Sequence, residues 1–326
     1  MSTRYCLIVP CRDEELYAER TLDSLVRQTF RPSLVVVVDD GSTDSTPKIL
    51  KRYSSKHPWI KVLTRTDRGS RKVGPGVIDA FYEGYQTIDS GDFTYVCKLD
   101  FDLDLPPRYF EILIHRMDTN PRIGTCSGKP YFPGPTNATK TFAGELISEG
   151  CGDEMSVGMA KLYRTECFEE IGGFVREVMW DGIDCHQCRM KGWIAESYDD
   201  EMLRFIHLRP MGSSHRGILT GRLRHGFGQY YMGTGLAYML ASSIFRMSHR
   251  PRVIGGAAMA CGYLSSMARR RPRYVDTEFR RFLRKFQWRC LLHGKQTATA
   301  ALNQQMKSTW LQRSSKQLRI DSQGQV

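Results

Sequence analysis

Along the first hundred residues, apolar and polar positions repeat in one order: a short apolar run, a charged turn, then a stretch with helical spacing. Residues 4–9 form an apolar strand that ends at Pro10 and gives way to the charged turn Cys11-Arg12-Asp13-Glu14-Glu15. Leu16, Leu22, Leu25 and Val26 then supply one face of a helix running towards Gln28. Leu34 to Val38 is an unbroken, mostly β-branched run of the kind found in strands buried on both faces. A helix is predicted from Pro47 to Tyr53 and a strand from Ile60 to Thr64. After the Gly-rich turn Gly69 to Gly76, a further helix spans Val77 to about Gln86, and the apolar run Tyr95 to Leu99 follows. Strands alternating with helices predict right-handed βαβ units and an α/β fold with a mostly parallel sheet flanked by helices. Ligands of such sheets sit beyond the carboxyl ends of the strands.

The strand ends carry the chemistry. The second strand runs out into Asp39-Asp40-Gly41-Ser42-Thr43-Asp44, and the run ending at Leu99 opens into Asp100, Asp102 and Asp104. Like charges at this spacing repel unless a cation neutralises them. Hard carboxylate oxygens suit Mg²⁺ or Mn²⁺, usually shared with a phosphate-bearing substrate. A carboxylate at a strand end can also accept hydrogen bonds from a nucleobase N–H or from ribose hydroxyls, while Asp44 or Ser45 is expected to cap the next helix.

In order and spacing, these turns resemble the family 2 glycosyltransferases of the GT-A fold. That family's V-P-x-x-N-E is met by Val9 to Glu14 with Asp13 in the asparagine place, its V-D-D-G-S-x-D by Val38 to Asp44, and its L-D-x-D by Leu99 to Asp102. The resemblance covers roughly residues 1–200. It implies a Rossmann-like GT-A domain, with residues 1–105 as its nucleotide-sugar-binding half and 106–220 as its acceptor-binding and catalytic half. It also implies that Pro10, Arg12 and Glu14 border the nucleotide and that Asp39 or Asp40 receives the base and ribose. Asp100 and Asp102 would hold ribose and metal, and His207, closing the predicted strand 204–206, would complete the metal site. Arg71 or Lys72 is a loose counterpart of the family's lysine in the Gly-rich turn. The family's catalytic acidic pair falls at Val178 to Asp184, where the acids are Asp181 and Asp184. Residues three apart at a helix start share a face, so either one is a candidate base and the other a helix cap. Arg222, Arg224 and Gln229 lie where a loop would pack across the donor diphosphate; the Q-x-x-R-W of processive relatives is absent.

The implied activity is that of an inverting, metal-dependent hexosyltransferase using a nucleotide-diphosphate sugar. Its acceptor would be a glycan, lipid-linked, in cell-surface or exopolysaccharide assembly. Two other readings stand beside it. A sugar-1-phosphate nucleotidyltransferase would want a Gly-rich, lysine-bearing loop after the first strand, where Cys11 to Glu14 stand instead. A non-catalytic membrane- or nucleic-acid-binding protein would leave the three ordered acidic turns unexplained.

Charge changes the picture at the far end. The 326 residues carry a net charge of +12, much of it late: Arg269 to Arg271, Arg273, Arg280, Arg281, Arg284, Lys285 and Arg289. Phe279, Phe282, Phe286 and Trp288 interleave with these bases, a pattern that suits an anionic bilayer surface. No nucleic-acid-binding motif accompanies them, and no nucleic-acid partner is expected. The apolar stretch Val253 to Met267 is shorter than the roughly 20 residues a membrane span needs and is expected to form a buried or interfacial helix. Residues 221–295 are therefore expected as a basic, aromatic helical appendage, and 296–326 as a disordered tail. Among the ten cysteines only Cys185 and Cys188 have C-x-x-C spacing, with no second pair at zinc-site distance. With no secretory pattern at Tyr5 to Val9, reduced thiols and a cytoplasmic location, peripheral at the inner membrane face, are expected.

Overall fold

The computed structural model describes residues 3–67, 69, 74–133, 145–209, 218–248 and 252–313. Its first part alternates strand and helix: β1 (Tyr5–Cys11), α1 (Ala18–Val26), β2 (Leu34–Asp39), α2 (Thr46–Lys56), β3 (Ile60–Thr64), α3 (Pro75–Tyr85) and β4 (Tyr95–Leu99). Then follow β5 (Leu103–Asp104), α4 (Tyr109–Thr119), β6 (Ile123–Ser127), β7 (Lys129–Pro133), β8 (Leu146–Ser148), β9 (Ala160–Arg164), α5 (Thr165–Glu170), α6 (Trp180–Met190), β10 (Ile194–Ser197) and β11 (Arg204–His207). After β11 come α7 (Ile218–Met232), α8 (Leu236–Met247), α9 (Ile254–Ala268), α10 (Thr277–His293) and α11 (Lys295–Gln305), and residues 307–313 are again helical.

Seven strands form the main sheet in the order β10-β6-β9-β4-β1-β2-β3. All run parallel except β9, which is antiparallel to both β4 and β6. A smaller sheet, β5-β11-β7-β8, stands beside it. The valine run of β2 behaves as its composition predicts. Val35 and Val37 pack with Leu22 and Leu25 of α1 and Leu50 of α2, while Val36 and Val38 pack with Ile78 and Phe81 of α3 on the opposite face. Alternate residues of one strand thus serve two cores, which demands apolar side chains in unbroken succession.

Two expectations for the end of the chain need correction. The tail expected to be disordered from residue 296 instead begins with α11, whose Ala298 and Leu302 are buried against Phe286 and Cys290 of α10. Farther on, Trp310 meets Trp193 edge-on, and Arg313 pairs with Glu170 at 2.6 Å; residues 314–326 lie outside the described residues. The aromatic residues of α10 are also not a free surface. Phe279 and Phe286 are buried against His186 of α6, Phe282 is partly buried, and only Trp288 stands well out, at 57% exposure. Burying a Phe side chain is worth about 1.5–3 kcal/mol, which decides which face of a basic helix turns inward. Among the described residues, no helix is long and apolar enough to cross a membrane.

Candidate functional site

The carboxyl ends of β1 and β2 are laced together before any ligand is considered. Asp13, at a positive φ of 52°, accepts the Thr43 N–H through Oδ1 at 2.8 Å. The Glu14 N–H donates to Thr46 Oγ1 at 2.8 Å, and the Glu15 N–H donates to Asp44 Oδ2 at 3.0 Å. The Thr46 N–H donates to Asp44 Oδ1 at 2.9 Å, so of Asp44 and Ser45 it is the aspartate that serves the start of α2. Arg12 runs beneath this turn, donating to the Asp40 carbonyl at 2.6 Å and to Asp67 Oδ1 at 2.7 Å. Pro10 lies in β1 opposite Val38. Asp40 is held by Arg65 at 2.8 Å. Asp39 is 1% exposed; its Oδ1 accepts the Ser42 N–H at 2.9 Å, while its buried Oδ2 has no hydrogen-bond partner among the described residues. A buried carboxylate oxygen left this way costs free energy unless something donates to it.

Beyond β4 the charges form a chain. Arg209, two residues past β11, donates to both carboxylate oxygens of Glu14 at 2.7 Å and to Asp102 Oδ2 at 2.9 Å. His207 Nε2 lies 3.5 Å from the same Asp102 oxygen, and its Nδ1 is 2.8 Å from Glu149 just beyond β8. Burial alone would raise the Asp102 pKa, but His207 and Arg209 overrule it and bring it to about 2. Burial would likewise lower that of His207, yet its hydrogen bonds with Asp102 and Glu149 raise it to about 9. Asp100 turns the other way, to the buried ammonium of Lys98, which also donates to the Gly158 carbonyl at 3.0 Å. The structure thus separates two residues that the motif pairs.

Asp181 and Asp184 occupy one turn of α6 in contrasting settings. Asp184 is fully buried: it takes Lys161 Nζ at 2.5 Å and the Tyr163 hydroxyl on Oδ2, and its Oδ1 accepts its neighbour's Cys185 N–H. The proton affinity of Lys161, which burial alone would reduce, is raised by this partner. Asp181 keeps part of its surface open, and Lys161 holds only its backbone carbonyl, at 2.9 Å. Its carboxyl pKa is raised, first by burial and then by Asp184, against the opposing pull of Lys161 and Lys98. Gly158 faces it so closely that a Cβ there would come within 2.9 Å of Asp181 Oδ2. Lys98 and Lys161 are directly paired across β4 and β9, and Trp180 lies 5.0 and 5.6 Å from their ammonium groups. Two like charges so placed would repel; Asp100 and Asp184 compensate them.

Not every expected residue joins this cluster. Arg71 and Lys72 lie outside the described residues. Arg222 and Gln229 lie on α7, and Gln229 is engaged by Thr234 at 2.6 Å and by His225, within the appendage. Sequence reasoning missed Lys98, Lys161, Tyr163, Glu149 and Arg209 as parts of the site. The lysines did leave a signal, since each stands inside an otherwise apolar strand, where a charge needs a partner.

Comparison with known proteins bears on what this geometry is for. The family model described as Glycosyl transferase family 2 matches residues 6–172, just over half of the chain. The chain belongs to that family. Among its relatives, the poly-beta-1,6-N-acetyl-D-glucosamine synthase of Staphylococcus epidermidis is 24% identical over 124 residues, covering 38% of this chain and 27% of the relative. The chondroitin synthase of Escherichia coli is 28% identical over 101 residues, covering 30% of this chain and 14% of the relative. The matched stretches thus span little more than a quarter of these relatives' own lengths or less. A solved mannosyltransferase from Pyrobaculum calidifontis, in complex with GDP-Man and Mn²⁺, superposes with a TM-score of 0.51 at 18% identity, over 98% of this chain and 88% of its own. GalNAc-T7 with UDP, GalNAc and Mn²⁺ gives 0.54 at 12% identity, over 89% of this chain and 58% of its own. At these identities the likeness is one of fold, and the fold is GT-A, with helices appended at the carboxyl end.

Among the described residues no group of three or more His, Cys, Asp or Glu side chains surrounds a point where a cation would sit. Asp102 and, once its imidazole gives up the proton that Asp102 and Glu149 favour, His207 would make an oxygen and nitrogen donor pair suited to Mn²⁺ or Mg²⁺, with Glu149 orienting the imidazole through its other nitrogen. Such ions often take only one or two side chains from the protein and the rest from substrate phosphates and water. That pair fits such an ion, and Asp100 is held by Lys98.

Proposed function

We propose that this family 2 member transfers a hexosyl unit, with inversion, from a nucleotide-diphosphate sugar to a hydroxyl of a glycan acceptor, with Asp181 as the base. The observation that carries the assignment is the contrast on α6: Asp184 is locked by Lys161 and Tyr163, whereas Asp181 remains partly open with its proton affinity raised. Asp181 takes the proton of the acceptor hydroxyl as its oxygen bonds to the anomeric carbon. The bond from that carbon to the diphosphate breaks, and the electron pair leaves on the nucleotide diphosphate. A base with raised affinity is better matched to this task near neutral pH than an ordinary carboxylate. Asp39 and Asp40 receive the base and ribose, Arg12 braces their turn, and Lys98 keeps Asp100 oriented at the ribose side. Asp102 and His207 would hold Mn²⁺ or Mg²⁺, whose chemistry when bound is to neutralise charge on the departing diphosphate. The acceptor is a lipid-linked glycan at the anionic, cytoplasmic face of a membrane, as the basic carboxyl-terminal region supports.

The test is donor binding. Purified protein with a panel of UDP-, GDP- and dTDP-sugars and Mn²⁺ should release nucleotide diphosphate with one of them and be protected from melting by it. Asp102→Asn keeps the shape but removes the charge, and should abolish Mn²⁺-dependent donor affinity in calorimetry while the fold stays intact. Unchanged Mn²⁺ and donor affinity in that variant would refute the metal assignment.

A further inference from the structure

We infer that α8 and α9 form an interfacial hairpin that docks this protein on an anionic lipid bilayer. This deepens, and rests on, the reading of a membrane-borne acceptor, but it moves the contact away from the buried aromatic residues of α10. The first observation is that the solvent-facing stripes of both helices lack charge. On α8 the exposed positions Leu236, Leu240 and Ile244 recur every four residues, the last at 67% exposure. On α9, Ile254, Ala257, Cys261 and Leu264 repeat at the same helical period. Exposed helical faces in water normally carry the polar residues, with the apolar stripe turned inward. Here the inward face of α9 mixes Gly255, Gly256, Gly262 and Ser266 with Met259 and Tyr263, which pack with Tyr230 and Met239. A Cβ on Gly262 would run into the Leu223 carbonyl of α7, and one on Gly256 into the Ser243 carbonyl of α8. The glycines bring the backbones close, while Leu236, Leu240, Ile244, Ile254 and Leu264 stay outside.

The second observation is charge. From Met211 to Val275 the sequence holds ten arginines and no Asp, Glu or Lys. Several of them stand at the ends of α9, with Arg252 before it and Arg269, Arg270 and Arg271 after it, all exposed. An apolar stripe with cations at its ends matches a helix lying in a membrane interface, where apolar groups enter the acyl boundary and cations meet lipid phosphates. The third is continuity. A groove of about 400 Å³ joins Leu236 of α8, Met267 of α9 and the exposed Trp288 and Leu291 of α10, with Arg273 and Arg284 in its wall. The same surface therefore runs on to the one exposed aromatic ring of α10. At 12 and 15 residues, α8 and α9 are too short to span a bilayer, and so they lie on it. A second copy of this chain would bring arginine against arginine, and nucleic acid has no use for a leucine and isoleucine stripe. An anionic bilayer answers both features.

Docking there would also orient the site. α7 links the hairpin to the entry of α6: a Cβ on Gly228 would collide with Met179, the residue at positive φ two positions before Asp181.

The experiment is vesicle flotation of the full chain, with no donor or acceptor present, so that it reads docking whether or not sugar is transferred. Wild type should float with phosphatidylcholine vesicles containing phosphatidylglycerol and stay down with phosphatidylcholine alone. Leu240→Glu/Ile244→Glu, at exposed positions, should lower partitioning at least tenfold while its melting temperature and its protection by the donor are retained. Arg252→Ser/Arg269→Ser, a second variant that spares the apolar stripe, should lower it by about fivefold per arginine at low salt, and by much less at high salt. Wild type that ignores anionic vesicles, or a Leu240→Glu/Ile244→Glu variant that floats as well as wild type, overturns the inference. So does light scattering in which that variant converts a dimer to a monomer, or wild type that leaves vesicles for a short oligonucleotide. Loss of donor protection in wild type, with flotation intact, would instead count against the proposed activity alone.

Discussion

In the sheet region charged side chains are used on one another, whereas α7 to α9 leave both charge and apolar surface for something outside the chain. Apart from the twelve arginines between Met202 and Val275, the 35 remaining basic residues are matched by 35 acidic ones. Many are paired in the fold, as in Lys161 with Asp184, Lys98 with Asp100, and Arg65 with Asp40. Buried charges must be compensated locally because desolvation leaves no alternative. The carboxyl-terminal helices face the reverse constraint, since arginines such as Arg252, Arg269 and Arg270 are exposed and, among the described residues, the outer stripes of α8 and α9 stand exposed. Local compensation builds a preorganised site, and its absence marks a contacting surface.

The sharpest way to break this comparison lies on α6. Asp181→Asn should reduce turnover by ~10² to 10⁴ with donor affinity unchanged, because general-base help acts on the acceptor hydroxyl. In wild type, the acid limb of the kcat profile should lie above the ordinary carboxylate range, since burial raises the Asp181 pKa and activity needs its ionised form. An acid limb at the usual carboxylate position, or an Asp181→Asn variant with full turnover, would remove Asp181 as the base.

Lys161→Met attacks the compensation directly. It leaves Asp184 buried without its cation, and urea titration should register a loss of about 3–5 kcal/mol. Tyr163→Phe, which removes only one donor to the same carboxylate, should cost less, about 1–3 kcal/mol. Similar small losses for both would mean that water reaches Asp184 and that the two aspartates of α6 do not differ as described.

A pair of substitutions on α10 sharpens the boundary between the regions. Phe279→Ala should cost about 3–5 kcal/mol of stability because its ring fills the contact between α10 and α6. Trp288→Ala, on the same helix but exposed, should stay within about 0.5 kcal/mol. Equal losses at the two positions in thermal or urea unfolding would contradict the inward turn of α10.

The alternation of strands and helices, the doubly buried β2 and the acidic strand ends were legible in the sequence. Each rests on periodicity or on turn chemistry within a few residues. Val35 to Val38 announce a strand with a core on both sides whatever lies elsewhere. The division of labour between Asp181 and Asp184 was not legible, because Lys161 and Tyr163 reach Asp184 from β9, across the one antiparallel strand of the main sheet. Arg209 meets Glu14 across 195 residues of chain, and Lys98 turns Asp100 away from its motif partner. On α10, aromatic and basic residues alternate from Phe279 to Arg289, so composition marked a basic aromatic helix without saying which face is wet; α6 decided that by offering His186 and its neighbours as the surface to cover. Sequence alone determined the elements and the chemistry at their ends, since both depend on neighbours along the chain. Which carboxylate is free, which cation compensates it and which apolar face remains exposed depended on contacts between distant segments, and only the tertiary structure decided them.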